Sequence, residues 1–171
     1  ANVAQDSVGN FNTSATQVSS NYDASRPSVA IQNVPATSNA PFTVTFTFSE
    51  VVSGFALGDI SVGNGNASSF TTVNTSTYTA LITPIADGAV TLDVNANVAQ
   101  DSAGNDNTAA TQVTSQYDAS RPSIAIQNVP ATSNAPYTVT FAFSELVTGF
   151  IVTDITLTNA TASSFTAVNG S

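Results

Sequence analysis

The 171-residue chain carries a formal net charge of −9, from eleven carboxylates and two arginines, and it contains no Cys, His, Trp, Met or Lys. An acidic chain is a poor ligand for nucleic acids and anionic membranes, whose phosphates attract basic faces. The missing residue types exclude disulfides, thiolate or imidazole metal sites, a cysteine nucleophile and the usual general base, histidine. No apolar run approaches the roughly 20 residues that a membrane-spanning helix needs, so we expect no membrane insertion.

The sequence repeats itself with a long, fixed period. Residues 1–76 align with residues 96–171 at a constant offset of 95 without a gap, and 56 of these 76 positions are identical. Such a period indicates tandem structural units. We therefore interpret residues 1–22 as the C-terminal tail, with the last strand, of a preceding repeat. Residues 23–117 are then a complete repeat, and residues 118–171 are the N-terminal half of the following one.

Apolar and polar residues alternate along most of the complete repeat, which predicts half-buried strands. The clearest case is FTVTFTFS at residues 42–49, where every second residue is Phe or Val. Residues 35–41, with two prolines, are predicted to form a turn, and the Asp-Gly that ends residues 84–88 is a common hairpin signal. The predicted strands are residues 28–33, 42–49, 54–57, 59–63, 67–73, 77–83, 89–95 and 108–117.

No segment has sustained helical spacing, so the sequence predicts an all-β fold. Seven or so short strands in about 95 residues, with frequent turn signals, are typical of an immunoglobulin-like β-sandwich. A β-helix is the competing all-β array, but its internal period would be shorter and more regular. We therefore expect immunoglobulin-like sandwiches in tandem.

Several short motifs of the complete repeat carry a family resemblance. They are Phe-Ser-Glu at 48–50, Gly-Phe at 54–55, Asp-Ile at 59–60, Tyr-Thr-Ala at 78–80 and Asp-Ser-Ala-Gly-Asn at 101–105. With these motifs the chain is similar to the bacterial immunoglobulin-like repeats of large surface adhesins and biofilm-associated proteins. That resemblance implies an extracellular or cell-surface extender, whose repeats hold a binding module away from the cell and are often stiffened by calcium.

The carboxylates of the complete repeat are expected to gather at the end of the sandwich that faces the preceding repeat. The linker before the first strand supplies Asp23, the loop after residues 42–49 supplies Glu50, and the loop before the last strand supplies Asp101. Clustered carboxylates repel one another unless a cation joins them, and ligands that are all oxygen suit Ca²⁺. The predicted Ca²⁺ ligands, with their counterparts in the following repeat, are Asp23, Glu50, Asp59, Asp101, Asn105, Asn107, Asp118 and Glu145.

The same residues also have an interpretation without a metal. Asp101 and Asn105 would satisfy backbone groups of their own loop, as Asx turns do, while Asp23 and Glu50 would simply be solvated. The loop lacks the spacing of an EF-hand, so its ligand types alone do not decide between the two interpretations.

The two arginines are expected to form local ion pairs. Arg26 follows Asp23 by three residues, and Arg121 follows Asp118 in the same way. At the opposite end of the repeat, Asp87 is a candidate to reach Asp118 and bridge two repeats.

Two other classes of function are weaker. An enzyme would have to use a carboxylate pair such as Asp93 and Asp101 as acid and base, and nothing in the sequence places these two across a cleft. We therefore predict that the chain is not an enzyme. A glycan- or protein-binding module would need exposed aromatic residues, for which Phe11, Phe55 and Phe70 are the candidates.

Neighbouring repeats of the same chain are the expected partners, and other copies of the chain are the alternative. The following repeat stops before the counterparts of strands 77–83 and 89–95, so its apolar face would lie open. An open sandwich accepts a strand from another chain, and residues 11–22 carry the counterpart of the last strand. Those residues would replace only one of the missing strands, so we favour a piece of a longer array over a filament assembled by strand exchange.

Overall fold

Two four-stranded sheets enclose the core of the complete repeat in the computed structural model, which describes residues 3–168. Residues 1, 2 and 169–171 of the two predicted partial repeats lie outside this range. The chain divides into two units, Ala1–Asp118 and Ala119–Ser171. The strands of the first unit are β1 (Val29–Gln32), β2 (Thr37–Ser38), β3 (Phe42–Phe48), β4 (Ile60–Gly63), β5 (Gly65–Asn74), β6 (Thr77–Pro84), β7 (Gly88–Val94) and β8 (Val113–Tyr117).

The order of the strands is β1-β3-β6-β5 in one sheet and β2-β8-β7-β4 in the other. All pairings are antiparallel except that of β2 with β8. The predicted all-β sandwich is therefore confirmed. No α-helix occurs among residues 3–168, and hence no helix there that could cross a membrane.

The period of two in the sequence accounts for the core. In β3, Val44 and Phe46 are fully buried and Phe48 nearly so, while the threonines between them face outward. Burial of each such apolar side chain contributes about 1.5–3 kcal/mol. β6 and β7 follow the same pattern, and their buried residues are Tyr78, Ala80, Ile82, Val90, Leu92 and Val94.

The strand predicted at residues 54–57 is wrong. Gly54 has a φ of +91°, which interrupts an extended chain, and Leu57–Asp59 form a 3-10 turn. The carboxylate of Asp59 accepts a hydrogen bond of 2.8 Å from the Ala56 amide and so closes this turn. The preceding residue, Ser53, pairs instead with Gln100 in an isolated bridge.

The Asp-Gly sequence does not form the predicted hairpin, because β6 and β7 lie in different sheets. Residues 84–88 cross from one sheet to the other and are fixed to the connection between β4 and β5. The Ile85 amide donates to the Asn64 carbonyl at 3.1 Å, and the Asn64 side chain donates to the Ala86 carbonyl at 2.7 Å. Gly88 then begins β7 with a φ of +126°, a conformation that favours glycine.

Two further differences concern the last strand. β8 is shorter than predicted, because the Thr108 amide bonds to the Pro27 carbonyl at 2.8 Å before the regular ladder begins. Its partner β2 lies within the predicted turn at residues 35–41. A strand of two residues has no period to detect, and only the parallel pairing of Thr37 with Gln116 reveals it.

The second unit contains the antiparallel pair β9 (Ile124–Gln127) and β10 (Thr140–Phe143), and a 3-10 turn at Val152–Asp154. Phe150 contacts Phe141 and Phe143, with ring centroids 5.5 and 5.2 Å apart. The apolar face is open, as expected, because Ile126 is 61% exposed whereas its counterpart Ile31 packs on the core.

Candidate metal centre

Residues 97–107 form a loop that is closed by one buried amide. The Oδ1 atom of Asn107 accepts from the backbone amides of Val98 and Ala99 at 2.9 and 2.8 Å. Its Nδ2 donates to the carbonyls of Asn95 and Thr108 at 3.0 and 2.8 Å. Because the side chain is fully buried and its oxygen already accepts two hydrogen bonds, Asn107 is a structural residue. Its predicted role as a metal ligand does not fit this geometry.

Asp101 organises the inner part of the loop and is itself buried. One carboxylate oxygen accepts from the backbone amides of Ala103 and Asn105, both at 2.8 Å, and the other accepts from the Asn105 side chain at 2.9 Å. These bonds, with that from the Asn105 side chain the strongest, lower the pKa of Asp101 below its ordinary value. Asp101 therefore carries its negative charge at neutral pH.

The same loop forms in the first partial repeat, in a different environment. Asp6 accepts from the amides of Val8 and Asn10 at 2.9 and 3.0 Å and from the Asn10 side chain at 2.9 Å, and all three residues are exposed. Asn12 accepts from two backbone amides as Asn107 does. The Asx bonds of Asp101 are thus intrinsic to the loop sequence, and by themselves they indicate no metal.

The linker before β1 is attached to this loop by Arg26, and the predicted ion pair with Asp23 is wrong. Arg26 Nε donates to the Asp106 carbonyl at 2.7 Å, and Nη2 donates to the Asn97 side chain at 2.7 Å and to the Asn107 carbonyl at 2.8 Å. A guanidinium presents several donors in a fixed plane and can therefore span three acceptors. No sequence pattern indicates these partners, because they lie 71–81 positions further along the chain.

Three carboxylates converge where the linker meets the loop. One carboxylate oxygen from each of Asp23, Glu50 and Asp101 lies within 4.8 Å of the other two, the single group of three acidic side chains this close together among residues 3–168. We call these three residues the acidic cluster. Asn105 joins its parts, since its Nδ2 also donates to the Asp23 carbonyl at 3.1 Å.

Within the acidic cluster, burial and the repulsion between carboxylates both change the pKa of Glu50, which is half-buried. Loss of solvent, and then the negative charges of Asp101 and Asp23, raise the pKa of Glu50 above its ordinary value. The ionised form of Glu50 is therefore disfavoured without a counter-charge. A cation would remove this repulsion.

The donor set fits a hard cation. The available ligands are all oxygens, one from each of the three carboxylates. The Asn105 side chain directs its Nδ2 at Asp101 and Asp23, so coordination by Asn105 stays a prediction. Ca²⁺ binds six to eight oxygens in flexible geometry, and water would supply the remaining ligands. Softer transition metals prefer nitrogen and sulfur ligands, which the cluster lacks.

The other predicted ligands lie elsewhere. Asp59 closes its own 3-10 turn, and Asp154 does the same in the second unit by accepting from the Ile151 amide at 2.9 Å. Asp118 follows β8, and its backbone amide donates to the Ser38 carbonyl at 2.9 Å. Glu145 is the half-buried counterpart of Glu50, and the counterpart of Asp101 is not part of the 171-residue chain. Coordination by Asp118 and Glu145 stays a prediction.

The far end of the first unit has a second, open acidic groove. Asp87 and Asp118 both line it, together with the β2 residues Thr37 and Ser38 and with Tyr117. Asp87 therefore lies in the region where the sequence predicted a bridge to Asp118. The groove is separated from the acidic cluster by the length of the sandwich, because residues 84–88 follow the end of β6 that is remote from Thr77 and Glu50.

Two of the three candidate ligand-binding aromatics belong to the core. Phe55 is 7% exposed and contacts Phe46 and Phe48, with ring centroids 5.7 and 5.1 Å apart. Phe70 stacks on Tyr78 at 5.6 Å and packs against the same cluster. Only Phe11 of the three is exposed, and its counterpart in the next copy is Asp106. An aromatic binding platform is therefore not formed by these residues.

The chain has similarity to a solved structure and to the sequence model of one domain family. The chain is similar to the crystal structure of the N-terminal part of the bacterial S-layer protein SbsC, with 17% identity, a TM-score of 0.40 and 61% of this chain covered. The match spans 26% of that chain, about a quarter of its length. No curated protein sequence matches. The sequence model of the bacterial Ig-like domain matches residues 23–117 and again residues 118–171. The chain therefore belongs to the bacterial Ig-like domain family.

Proposed function

We propose that the chain is a structural extender of an extracellular adhesin or surface filament. The observation that carries this proposal is the ungapped repetition of the Ig-like unit, with 56 of 76 positions identical. Duplication of a whole unit lengthens an array, whereas a catalytic or recognition site is needed only once. The eight residues of β6 span roughly 26 Å, so each repeat would add a few tens of ångströms.

We also propose that Ca²⁺ stiffens the entry to each repeat by binding at the acidic cluster. Asp23 belongs to the linker, whereas Glu50 and Asp101 belong to the body of the sandwich. A cation shared by the three would fasten the linker to its repeat, in addition to the hydrogen bonds of Arg26 and Asn105. The neighbouring repeats of the same chain are then the partners that the stiffened linker orients.

Thermal unfolding of the whole chain in Ca²⁺ and in chelator tests this metal site. With a dissociation constant of about 10⁻⁴ M, typical of extracellular modules, 10 mM Ca²⁺ should raise the melting temperature by about 10 °C. Glu50→Gln should abolish the increase. The matched control is Glu145→Gln, the same substitution in the second copy, which has no counterpart of Asp101 in this chain and should leave the response unchanged.

An equal melting temperature in Ca²⁺ and chelator would refute the metal site and leave an unliganded sandwich array. A response that survives Glu50→Gln would assign the ion to other residues. The extender role is tested separately by small-angle scattering of chains with increasing numbers of repeats. Their length should grow by a constant increment with each added repeat.

No second function has comparable support. The family is typically not enzymatic. A binding module loses two of its three candidate aromatics to the core. Strand exchange between copies is the weaker hypothesis, because the second copy lacks counterparts of β6 and β7. Each of these is an inner strand with a neighbour on both sides. Residues 11–22 correspond to neither of them.

A further inference from the structure

We propose that the chain resists proteases that cleave after basic residues, in its folded and its unfolded states alike. The resistance follows from the residues next to its only two cationic side chains. It requires neither the acidic cluster nor a bound ion.

The covalent sequence carries the first part of the argument. The chain has two basic residues, Arg26 and Arg121, and each is followed directly by proline, Pro27 and Pro122. Trypsin-like proteases select Arg or Lys with an acidic specificity pocket and cleave the bond that follows. A proline nitrogen after that bond has no N–H and lies in a ring that fixes φ, so the scissile bond is poorly presented to the catalytic serine. Neither arginine therefore offers a cleavable bond.

The fold adds a second barrier at Arg26 alone. Its guanidinium donates three hydrogen bonds of 2.7–2.8 Å to the 97–107 loop, and the Pro27 side chain is fully buried. The Pro27 carbonyl also accepts from the Thr108 amide at 2.8 Å. A protease would have to wait for local unfolding before it reached this segment. Arg121 and Pro122 are exposed, so there only the proline protects the bond.

The repetition extends the consequence to an array. Arg26 and Arg121 are 95 positions apart and occupy the same place in successive repeats. A series of such repeats would have one basic residue in each, always before proline. A repeat that unfolds transiently would then remain intact and refold, where an ordinary domain would be cut.

Digestion of the whole chain with trypsin, with and without urea that unfolds the sandwich, tests the proposal. The unaltered chain should stay intact in both conditions. Pro122→Ala should be cut in both, into residues 1–121 and 122–171. Pro27→Ala should stay intact when folded and be cut after Arg26 only in urea. Chymotrypsin, which cleaves after aromatic residues, should cut the unaltered chain after the buried residues Phe46 and Tyr78 only in urea, and this cleavage shows that the sandwich is unfolded there.

Cleavage of the unaltered chain after either arginine in urea would overturn the proposal, as would survival of Pro122→Ala in urea. Cleavage of folded Pro27→Ala as fast as Pro122→Ala, with its circular dichroism spectrum unchanged, would overturn the second barrier. If Pro27→Ala does not fold, Pro122→Ala still decides the covalent argument. None of these outcomes depends on the Ca²⁺ response or on the length of an array.

Discussion

Ser115 of β8 is the one fully buried side chain whose polar atom has no hydrogen-bond partner among residues 3–168. It lies on the inward face of the strand, between Val113 and Tyr117. A buried hydroxyl without a partner loses its hydrogen bonds to water on folding and gains none from the protein, which lowers the free energy of unfolding. Ser115→Ala should therefore raise the free energy of unfolding by about 1 kcal/mol, measured by urea denaturation.

Ser20 provides the control for this prediction, because it occupies the same repeat position but is exposed. Ser20→Ala should leave the transition unchanged. A loss of stability in Ser115→Ala would mean that the hydroxyl is hydrogen-bonded, for example to a buried water.

The contribution of Arg26 to stability depends on its guanidinium group and not on its charge alone. A lysine has the same charge but a single ammonium, which cannot reach the Asp106 carbonyl, the Asn107 carbonyl and the Asn97 side chain together. Arg26→Lys should therefore lower the free energy of unfolding by about 1–2 kcal/mol. Arg121→Lys makes the same change at an exposed position and should have no effect. Equal stability of the two variants would show that charge alone accounts for Arg26.

At the scale of elements, the loop after β3 contributes to the pH dependence of stability through Glu50. The pKa of Glu50 lies above its ordinary value of 4.5 because of burial and its acidic neighbours. Its favourable contribution is therefore present below pH 4.5 and is lost as the pH rises through the raised value. In chelator, Glu50→Gln should melt at a higher temperature than the unaltered chain at pH 7, and the difference should vanish near pH 4.

Asp101 works in the opposite direction, since its lowered pKa gives stability that is lost as the pH falls through that value. Asp101 is present in both the unaltered chain and the Glu50→Gln variant, so its contribution to the pH dependence cancels when the two melting temperatures are compared. With Ca²⁺ at pH 7 the order should reverse, because only the unaltered chain gains from the ion. An identical pH profile for both chains in chelator would show that Glu50 is an ordinary solvated carboxylate.

The strands that the sequence predicted well are those with a strong period of two, β3, β6 and β7, because each buries one complete face. The acidic cluster was also predictable in part, since alternate loops of an antiparallel sandwich lie at the same end. Two of the errors occur where a contact distant in sequence decides the structure. The hydrogen bonds to Asn64 determine the path of residues 84–88. The carbonyls of the 97–107 loop determine the position of the Arg26 side chain.

At the scale of the whole molecule, the complete repeat and the second copy differ in which strands of the sandwich they contain. Each sheet of the first unit has two inner strands, among them β6 in one sheet and β7 in the other, and these bury most of the core. The second copy has no counterpart of β6 or β7 in this chain, which leaves β9 and β10 as an isolated pair with exposed isoleucines. Similar sequences are thus in very different states of burial.

Amide hydrogen exchange should resolve this difference. Protection of β6 and β7 should approach the global stability, whereas the β9–β10 amides should exchange at least about a thousand times faster, because a lone hairpin is marginal in water. Glu50→Gln should leave the β9–β10 rates unchanged. Strong protection of β9–β10 that disappears on dilution would contradict this expectation. It would mean that another copy of the chain covers the open face, and strand exchange would then replace the extender as the better account of assembly.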